Sequence, residues 1–279
     1  MEQGSKAWLD LRKKYITSTD ASVICDLNPW QTKYGLWREK MDLAPPKEEN
    51  EAMRMGRQLE PIAREWFIKE TGIEMIPRIQ CNGIFMASLD GYSAKEKCIL
   101  EIKSGQKAFQ MACGQEVPEY YQCQIQHQLL TLGCSKAFYC AYWDGKGHII
   151  EIKRDEDFLG EYIPKANEFY QCMINYEAPP FVAKDYIIID TDEWKMATEG
   201  YRKASDEIKK LEETQRQYKE KLLELSQGKI SRGNGIRVTK IVKKGAIDYP
   251  SIPQLNGVDT EPYRKPSIEY WSVNIEKEK

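Results

Sequence analysis

The sequence predicts an α/β or α+β core over residues 1–180, followed by a charged extension. Three observations carry that expectation. Helix-spaced and strand-spaced apolar segments alternate in the order helix, antiparallel strands, helix, strands, helix. Gly72, Gly133 and Pro179-Pro180 stand where helical runs close. A chain of 279 residues, 41% hydrophobic and 30% charged, suffices for one sizeable core with a smaller appendage.

Residues 5–14 and 19–26 have the pattern of short helices joined by a polar turn. Asn28-Pro29 marks a loop, residues 34–41 restart a helix, and the Pro-Pro-Lys segment at 45–47 is a linker. From about 49 to 70, Leu59, Ile62, Ala63, Trp66 and Phe67 keep helical spacing. Pro61 interrupts that run, which predicts a kink or a fresh start near Glu60. Three strands follow at 73–81, 83–90 and 98–104, the last two joined across a turn at 91–97. Residues 117–133 are a helix that starts near Pro118 and ends at Gly133. A hairpin about Asp144–Gly147 and a helix over 158–174 complete the core. Residues 193–228 form a long charged helix with a thin stripe of Ile208, Leu211, Leu222 and Leu225, suited to the core or to another subunit. Residues 230–249 suggest a β-hairpin, and the Pro-rich end carries a terminal strand at 270–276. The domains are therefore placed at 1–184 and 185–279.

Composition narrows the chemistry. No window approaches the run of about 18 apolar residues that a membrane helix needs. The opening residues lack the basic-then-apolar pattern of an export signal, so a cytoplasmic chain is expected. Eight cysteines form no C-x-x-C pair, which argues against a zinc knuckle and for buried free thiols. With only two histidines, a histidine-rich metal site is excluded, and oxygen ligands must dominate any metal site. The formal charge of −2 is unevenly spread, and residues 229–247 hold basic side chains with no acidic one. That stretch suits phosphate contact or a solvated hairpin equally.

One short stretch resists a purely structural account. In "SLDGYSAKEKCILEIKSG" (88–105), an apolar strand carries Glu101 and Lys103, with Asp90 on the strand before it. Alternation puts Ile99, Glu101 and Lys103 on one face and Leu100 and Ile102 on the other. Two carboxylates converging beside a backbone carbonyl make the oxygen-rich site that Mg²⁺ prefers. A lysine beside them can orient a water against a phosphodiester. The same residues also suit an exposed Glu–Lys pair with a turn aspartate, worth almost nothing in stability.

Four stretches, in order, resemble the lambda-exonuclease/YqaJ-type viral recombinase family of the PD-(D/E)XK nuclease superfamily. "WLDLRKKYITSTDAS" resembles its W-x-x-x-R…I-(T/G)-x-S opening, "MGRQLEP" its G-x-x-x-E helix, "SLDG…LEIKS" its metal-binding strand pair, and "YYQCQIQHQLLTLG" its Y-x-x-Q-x-Q helix. The resemblance spans residues 8–133. It implies a restriction-endonuclease-like core, a central mixed sheet flanked by helices. It further implies that Asp90, Glu101, the Ile102 carbonyl and Glu60 hold Mg²⁺ (or Mn²⁺), two ions per site. Lys103 would position the attacking water with Gln124 beside it, and Gln126 is a second candidate for that place. Arg12, Thr19 and Ser88 would hold a 5′-phosphate. Thr19 stands where the family has serine, and Leu89 where its motif has proline.

The implied activity is digestion of double-stranded DNA from its 5′ ends, releasing mononucleotides. The 3′ overhang left behind would serve a single-strand annealing protein. The implied assembly is a ring of three subunits around the DNA. Two other readings stand beside it: an endonuclease or RecB-like nuclease module, and a non-catalytic DNA-binding or scaffold protein. His127 is taken as structural. Phe138, Tyr139, Tyr142 and Trp143 are taken as core residues rather than base-stacking ones.

Overall fold

The computed structural model describes residues 4–45, 50–243, 245, 252–255 and 258. They form two compact units, Met1–Ile187 and Ile188–Lys279. The first unit opens with α1 (Lys6–Lys14), capped by the Ser5 hydroxyl, which accepts from the Trp8 N–H. A short strand β1 (Ile16–Thr17), a 3₁₀ turn (Ser18–Asp20), α2 (Ala21–Ile24) and α3 (Lys33–Lys40) follow. Next come α4 (Glu51–Thr71), β2 (Ile76–Asn82), β3 (Phe85–Ser93), β4 (Cys98–Ser104) and α5 (Gln106–Cys113). The unit then runs through α6 (Glu119–Leu132), β5 (Lys136–Trp143), β6 (Lys146–Lys153) and α7 (Glu156–Asn175).

The strands form one mixed sheet in the order β1-β3-β4-β5-β6, with β2 also on β3. β3 is antiparallel to β2 and β4, while β1–β3 and β4–β5 are parallel pairs. β2 covers one edge of β3 from Phe85 to Tyr92, so β1 and β4 must share the other. β1 takes Phe85 and Met86, and β4 takes Gly91 to Ser93. Residues 87–90 have no ladder partner on that edge. The sheet forks there.

A β-bulge sharpens the fork. Ile76 and Arg78 of β2 pair with Tyr92 and Leu89 of β3, so three steps along β3 match two along β2. The extra residue falls at Asp90-Gly91 and re-aims side chains on either side of it, as bulges do beside functional sites. Gly91 has little choice of identity, since a Cβ there would lie 2.9 Å from Met75 Cβ and 3.1 Å from Leu100 Cβ.

Helices cover both faces of the sheet. On one face, Leu100, Ile102, Cys140 and Tyr142 pack against Ala63 and Phe67 of α4. On the other, Leu89, Ile99, Ala137 and Tyr139 meet Ile125 and Leu129 of α6 and Ala112 of α5. A third cluster joins Ile16, Ile24 and Trp37 to Leu159, Tyr162 and Phe169 of α7. Each large side chain buried this way stabilises the fold by about 1.5–3 kcal/mol.

Several expectations need correction. α4 makes no fresh start near Glu60: it continues through Pro61, with Ala63 and Phe67 beyond it buried against the sheet. β3 continues past Asp90 to Ser93, so the aspartate lies inside the strand. β1 and α5 were not expected from the sequence pattern. The eight cysteines are free, but Cys113 is exposed and Cys25, Cys81 and Cys172 are only partly buried.

In the second unit, Thr191 caps α8 (Asp192–Ser226) by accepting from the Trp194 N–H. The stripe residues Ile208, Leu211, Leu222 and Leu225 are exposed. A hairpin of β7 (Ser231–Gly233) and β8 (Ile236–Val238) turns at Asn234-Gly235, both at positive φ, as a tight primed turn requires. It ends well short of residue 249. The expected strand at 270–276 and most of the Pro-rich end lie outside the described residues, as do Pro46 and Lys47 of the expected linker.

Candidate active site

The fork in the sheet gathers most of the predicted residues. On β4, Glu101 is 2% exposed and every oxygen of its carboxylate is engaged. Lys103 Nζ lies 2.6 Å from Oε1, and the Gln124 side-chain amide donates to the same oxygen at 2.6 Å. The Gln128 amide donates to Oε2 at 2.5 Å. Gln124 is fixed from both ends, since its Oε1 accepts from Lys103 at 3.3 Å. α6 thus grips Glu101 with two glutamines one helical turn apart.

Asp90 enters where the β3–β4 ladder stops. Its Oδ2 accepts from the Ile102 N–H at 2.7 Å, continuing the contact between the strands after their backbone pairing ends. From the opposite face, α4 supplies Glu60 and Arg64. Arg64 Nη2 pairs with Glu60 Oε1 at 2.5 Å, and its Nε donates to the Asp90 carbonyl at 2.6 Å. Asp90, Glu101, Ile102, Lys103, Gln124 and Glu60 therefore belong to one cluster.

Its electrostatics are those of crowded carboxylates. Burial, followed by the charges of Glu101 and Glu60, pushes the Asp90 carboxyl well above the usual carboxylate range against the pull of Lys103. Burial, with the charge of Glu101, also raises Glu60 against the pull of Arg64 and Lys103. For Lys103, burial favours the neutral amine, but Glu101 and Asp90 outweigh it and hold the pKa above the ordinary lysine value. Three carboxylates face one ammonium and one guanidinium, so negative charge is in excess.

The donor set fits a divalent cation in chemistry: three carboxylates and the Ile102 carbonyl, with like-charge crowding that a cation would relieve. Among the described residues, however, no cluster of three or more His, Cys, Asp or Glu side chains already closes on a point where a metal ion could be held. The reason is visible in the contacts. Glu101 is held by Lys103, Gln124 and Gln128, Glu60 by Arg64, and Asp90 by the Ile102 N–H. An ion bound there would have to compete with these partners.

A second group sits on the same strand, two residues before Asp90. The Trp8 indole N–H donates to Ser88 Oγ at 3.0 Å, and Arg12 lies over the Trp8 ring at 4.6 Å. Arg12 Nη2 also donates to Thr19 Oγ1 at 3.1 Å. Arg12, Thr19 and Ser88 are thereby brought together by the shared contacts of Trp8 and Arg12. A buried ion pair anchors the segment that carries them. Lys40 Nζ lies 2.5 Å from Asp20 Oδ2 and donates to the Arg12 and Tyr15 carbonyls, each at 2.8 Å. Asp20 Oδ2 accepts from the Thr17 N–H as well. Burial alone would raise Asp20, but Lys40 and then Arg12 hold it below its ordinary value.

Other candidates stand apart. Gln126 donates to the Lys153 carbonyl and accepts from the Asp155 N–H, tying α6 to the start of α7 rather than entering the cluster. His127 is fully buried. Its Nε2–H donates to the Met86 carbonyl at 3.0 Å, which leaves Nδ1 to accept from the Tyr162 hydroxyl at 2.7 Å. Tyr139 and Tyr142 are core residues. A cavity of about 510 Å³, lined by residues such as Asn28, Thr32, Lys165 and Phe169, contains none of the cluster. Sequence reasoning missed Gln128 and Arg64. Both had a signal: each stands four residues beyond an assigned residue on the same helix, Gln124 and Glu60.

Comparison with known proteins gives a domain similarity and a shared fold. Residues 7–135 match the YqaJ-like viral recombinase domain. A Bacillus subtilis (strain 168) protein, described as uncharacterized protein YqaJ, is 32% identical over 180 residues. That match covers 61% of this chain and only 56% of the relative. The crystal structure of an alkaline exonuclease, LHK-Exo, from Laribacter hongkongensis superposes with a TM-score of 0.54 at 22% identity. The complex of LHK-Exo with dAMP gives 0.54 at 20% identity. Each covers 62% of this chain and 95% of the exonuclease, so the fold of the first unit is shared. The shared fold is a mixed sheet flanked by helices. In sequence, residues 7–135 of this chain are similar to a YqaJ-like viral recombinase domain.

Proposed function

We propose that the chain is a metal-dependent exonuclease acting on the ends of double-stranded DNA. Residues 1–184 form its PD-(D/E)XK nuclease core and residues 185–279 an extension. One observation carries the reading: Asp90, Glu101 and Lys103 meet at the fork of the sheet, with Arg12, Thr19 and Ser88 grouped along the same strand. A surface Glu–Lys pair needs neither a 2%-exposed glutamate nor two buried glutamines holding it. The exonuclease fold of the relatives supports the same conclusion.

Asp90, Glu101, the Ile102 carbonyl and Glu60 would hold Mg²⁺, or Mn²⁺, as two ions per site. Bound there, the ions would supply positive charge against the phosphodiester and acidify the attacking water. Lys103, kept charged by its two carboxylates, positions that water, and Gln124 fixes the lysine's direction. Arg12, with the Thr19 and Ser88 hydroxyls, holds the terminal 5′-phosphate. Arginine's fork suits that anion, and hydroxyls are common phosphate contacts. These placements set digestion from the 5′ end, releasing mononucleotides and leaving a 3′ overhang for an annealing protein. A ring of three subunits in the cytoplasm completes the proposal. No helix among the described residues is long and apolar enough to cross a membrane.

Linear and covalently closed circular duplex, incubated with the protein and Mg²⁺, test this directly. Linear DNA labelled at the 5′ end should release label as mononucleotide before 3′-labelled DNA does, and closed circles should persist. Light scattering should give the mass of three subunits. Nicking of the circles would favour the endonuclease reading, and early release of the 3′ label would reverse the polarity.

A further inference from the structure

Trp30 is 75% exposed, more than any other tryptophan among the described residues. It sits on a pinned loop. Asn28 Oδ1 accepts from the Trp30 and Gln31 N–H groups at 2.9 and 3.0 Å, and its amide donates to Ser22 Oγ on α2. The ring is held edge-on against Tyr120, with centroids 5.1 Å apart. Tyr120 meets Tyr121 at 4.4 Å, and Lys103 Nζ lies 4.7 Å over the Tyr121 ring. An unbroken file of aromatic rings thus leads from the proposed catalytic lysine to an exposed indole. Each step is no longer than 5.1 Å.

Exposing an indole in this way forfeits the burial that tryptophan normally gains. The loop's hydrogen bonds fix the backbone at Trp30, and three quarters of the residue stays open to solvent. Aromatic side chains beside a nucleic-acid backbone site stack on bases without regard to sequence, because every base has a π-face. We propose that Trp30, backed by Tyr120, is the stacking platform for an unpaired nucleobase of the strand whose phosphodiester reaches Lys103. The proposal rests on the nuclease reading above and adds to it the substrate form recognised: a duplex end whose terminal bases have separated. Continuity with Lys103 favours a base over a second copy of the chain as the occupant.

The test uses the full-length protein and linear duplex with 2-aminopurine near the 5′ end. Binding is measured in a Lys103→Met background and turnover in the parent. Trp30 and Trp30→Phe should quench the 2-aminopurine on binding, and Trp30→Ala should not. In the active protein, Trp30→Ala should raise KM by roughly 5- to 100-fold, the worth of one base–aromatic stack. A terminal mismatch, which frays the end, should restore part of that loss. If Trp30→Ala matches the parent in quenching and KM while Lys103→Met is inactive, the stacking role is wrong and the nuclease reading stands. If Lys103→Met still cleaves, the nuclease reading itself fails. A change of subunit mass with Trp30→Ala would instead make Trp30 a contact between copies and overturn the proposal.

Discussion

Arg12 and His127 are both well-connected side chains, yet their surroundings fit them for opposite tasks. Arg12 is partly open, stacked on Trp8 and bonded to Thr19 by only one of its donors, so others remain to meet a phosphate. Arg12→Ala should slow digestion of 5′-phosphorylated ends by roughly 10- to 100-fold, the worth of a charge-assisted hydrogen bond, and hydroxyl ends far less. Equal slowing of both ends, measured side by side, would remove the phosphate role. His127 is sealed in and serves stability. Burial pushes its pKa down to about 4, against an ordinary value of 6.5. As pH falls from about 6.5 to about 4, the unfolded chain takes up a proton that the folded chain refuses. Stability present above that window is therefore lost within it, by about 3 kcal/mol in all. Asp90 and Glu60, raised in the fold, act in the other direction on acidification. The histidine is thus isolated by comparison with His127→Gln, whose denaturation midpoint should be flatter across this window. Parallel curves for the two proteins would contradict the assignment.

At the scale of elements, the decisive feature is one strand with two partners on one edge. Alternation along β4 was readable from the sequence, and Glu101 and Lys103 do share the face that meets α6. The fork was not readable. β1 is two residues long, too short for a period, and the bulge at Asp90-Gly91 is set by pairing across strands. α5 was missed for a different reason: at eight residues it gives its apolar side, Ala108, Met111 and Ala112, little more than two turns to show a period. The fresh start expected at Pro61 does not occur, because Ala63 and Phe67 beyond it pack against the sheet. The bulge yields its own prediction. Gly91→Ala forces a Cβ against Met75 and Leu100, which should cost about 1–3 kcal/mol of stability and displace Asp90. Chemical denaturation and a Mg²⁺ titration of activity should therefore both shift. Lost stability with unchanged Mg²⁺ dependence would mean that Asp90 is not placed by the bulge.

For the molecule as a whole, the sequence displayed chemistry more clearly than assembly. Asp90, Glu101 and Lys103 lie within fourteen positions of one another, so a local pattern exposed them. Gln128 reaches Glu101 and Arg64 reaches the Asp90 carbonyl across the fold, and helical spacing from Gln124 and Glu60 was the local sign of each. The stripe on α8 is legible as apolar, yet in the second unit it remains exposed, which leaves its partner unstated. Two acids and a lysine at the fork are taken to hydrolyse DNA with a divalent cation. End-labelled linear duplex, incubated with the parent protein and with Lys103→Met in Mg²⁺ or EDTA, measures that most directly. The parent should release nucleotides in Mg²⁺ alone, and Lys103→Met, folded by circular dichroism, should be slower by at least about 100-fold. Equal release by the two proteins, or release that persists in EDTA, would contradict it.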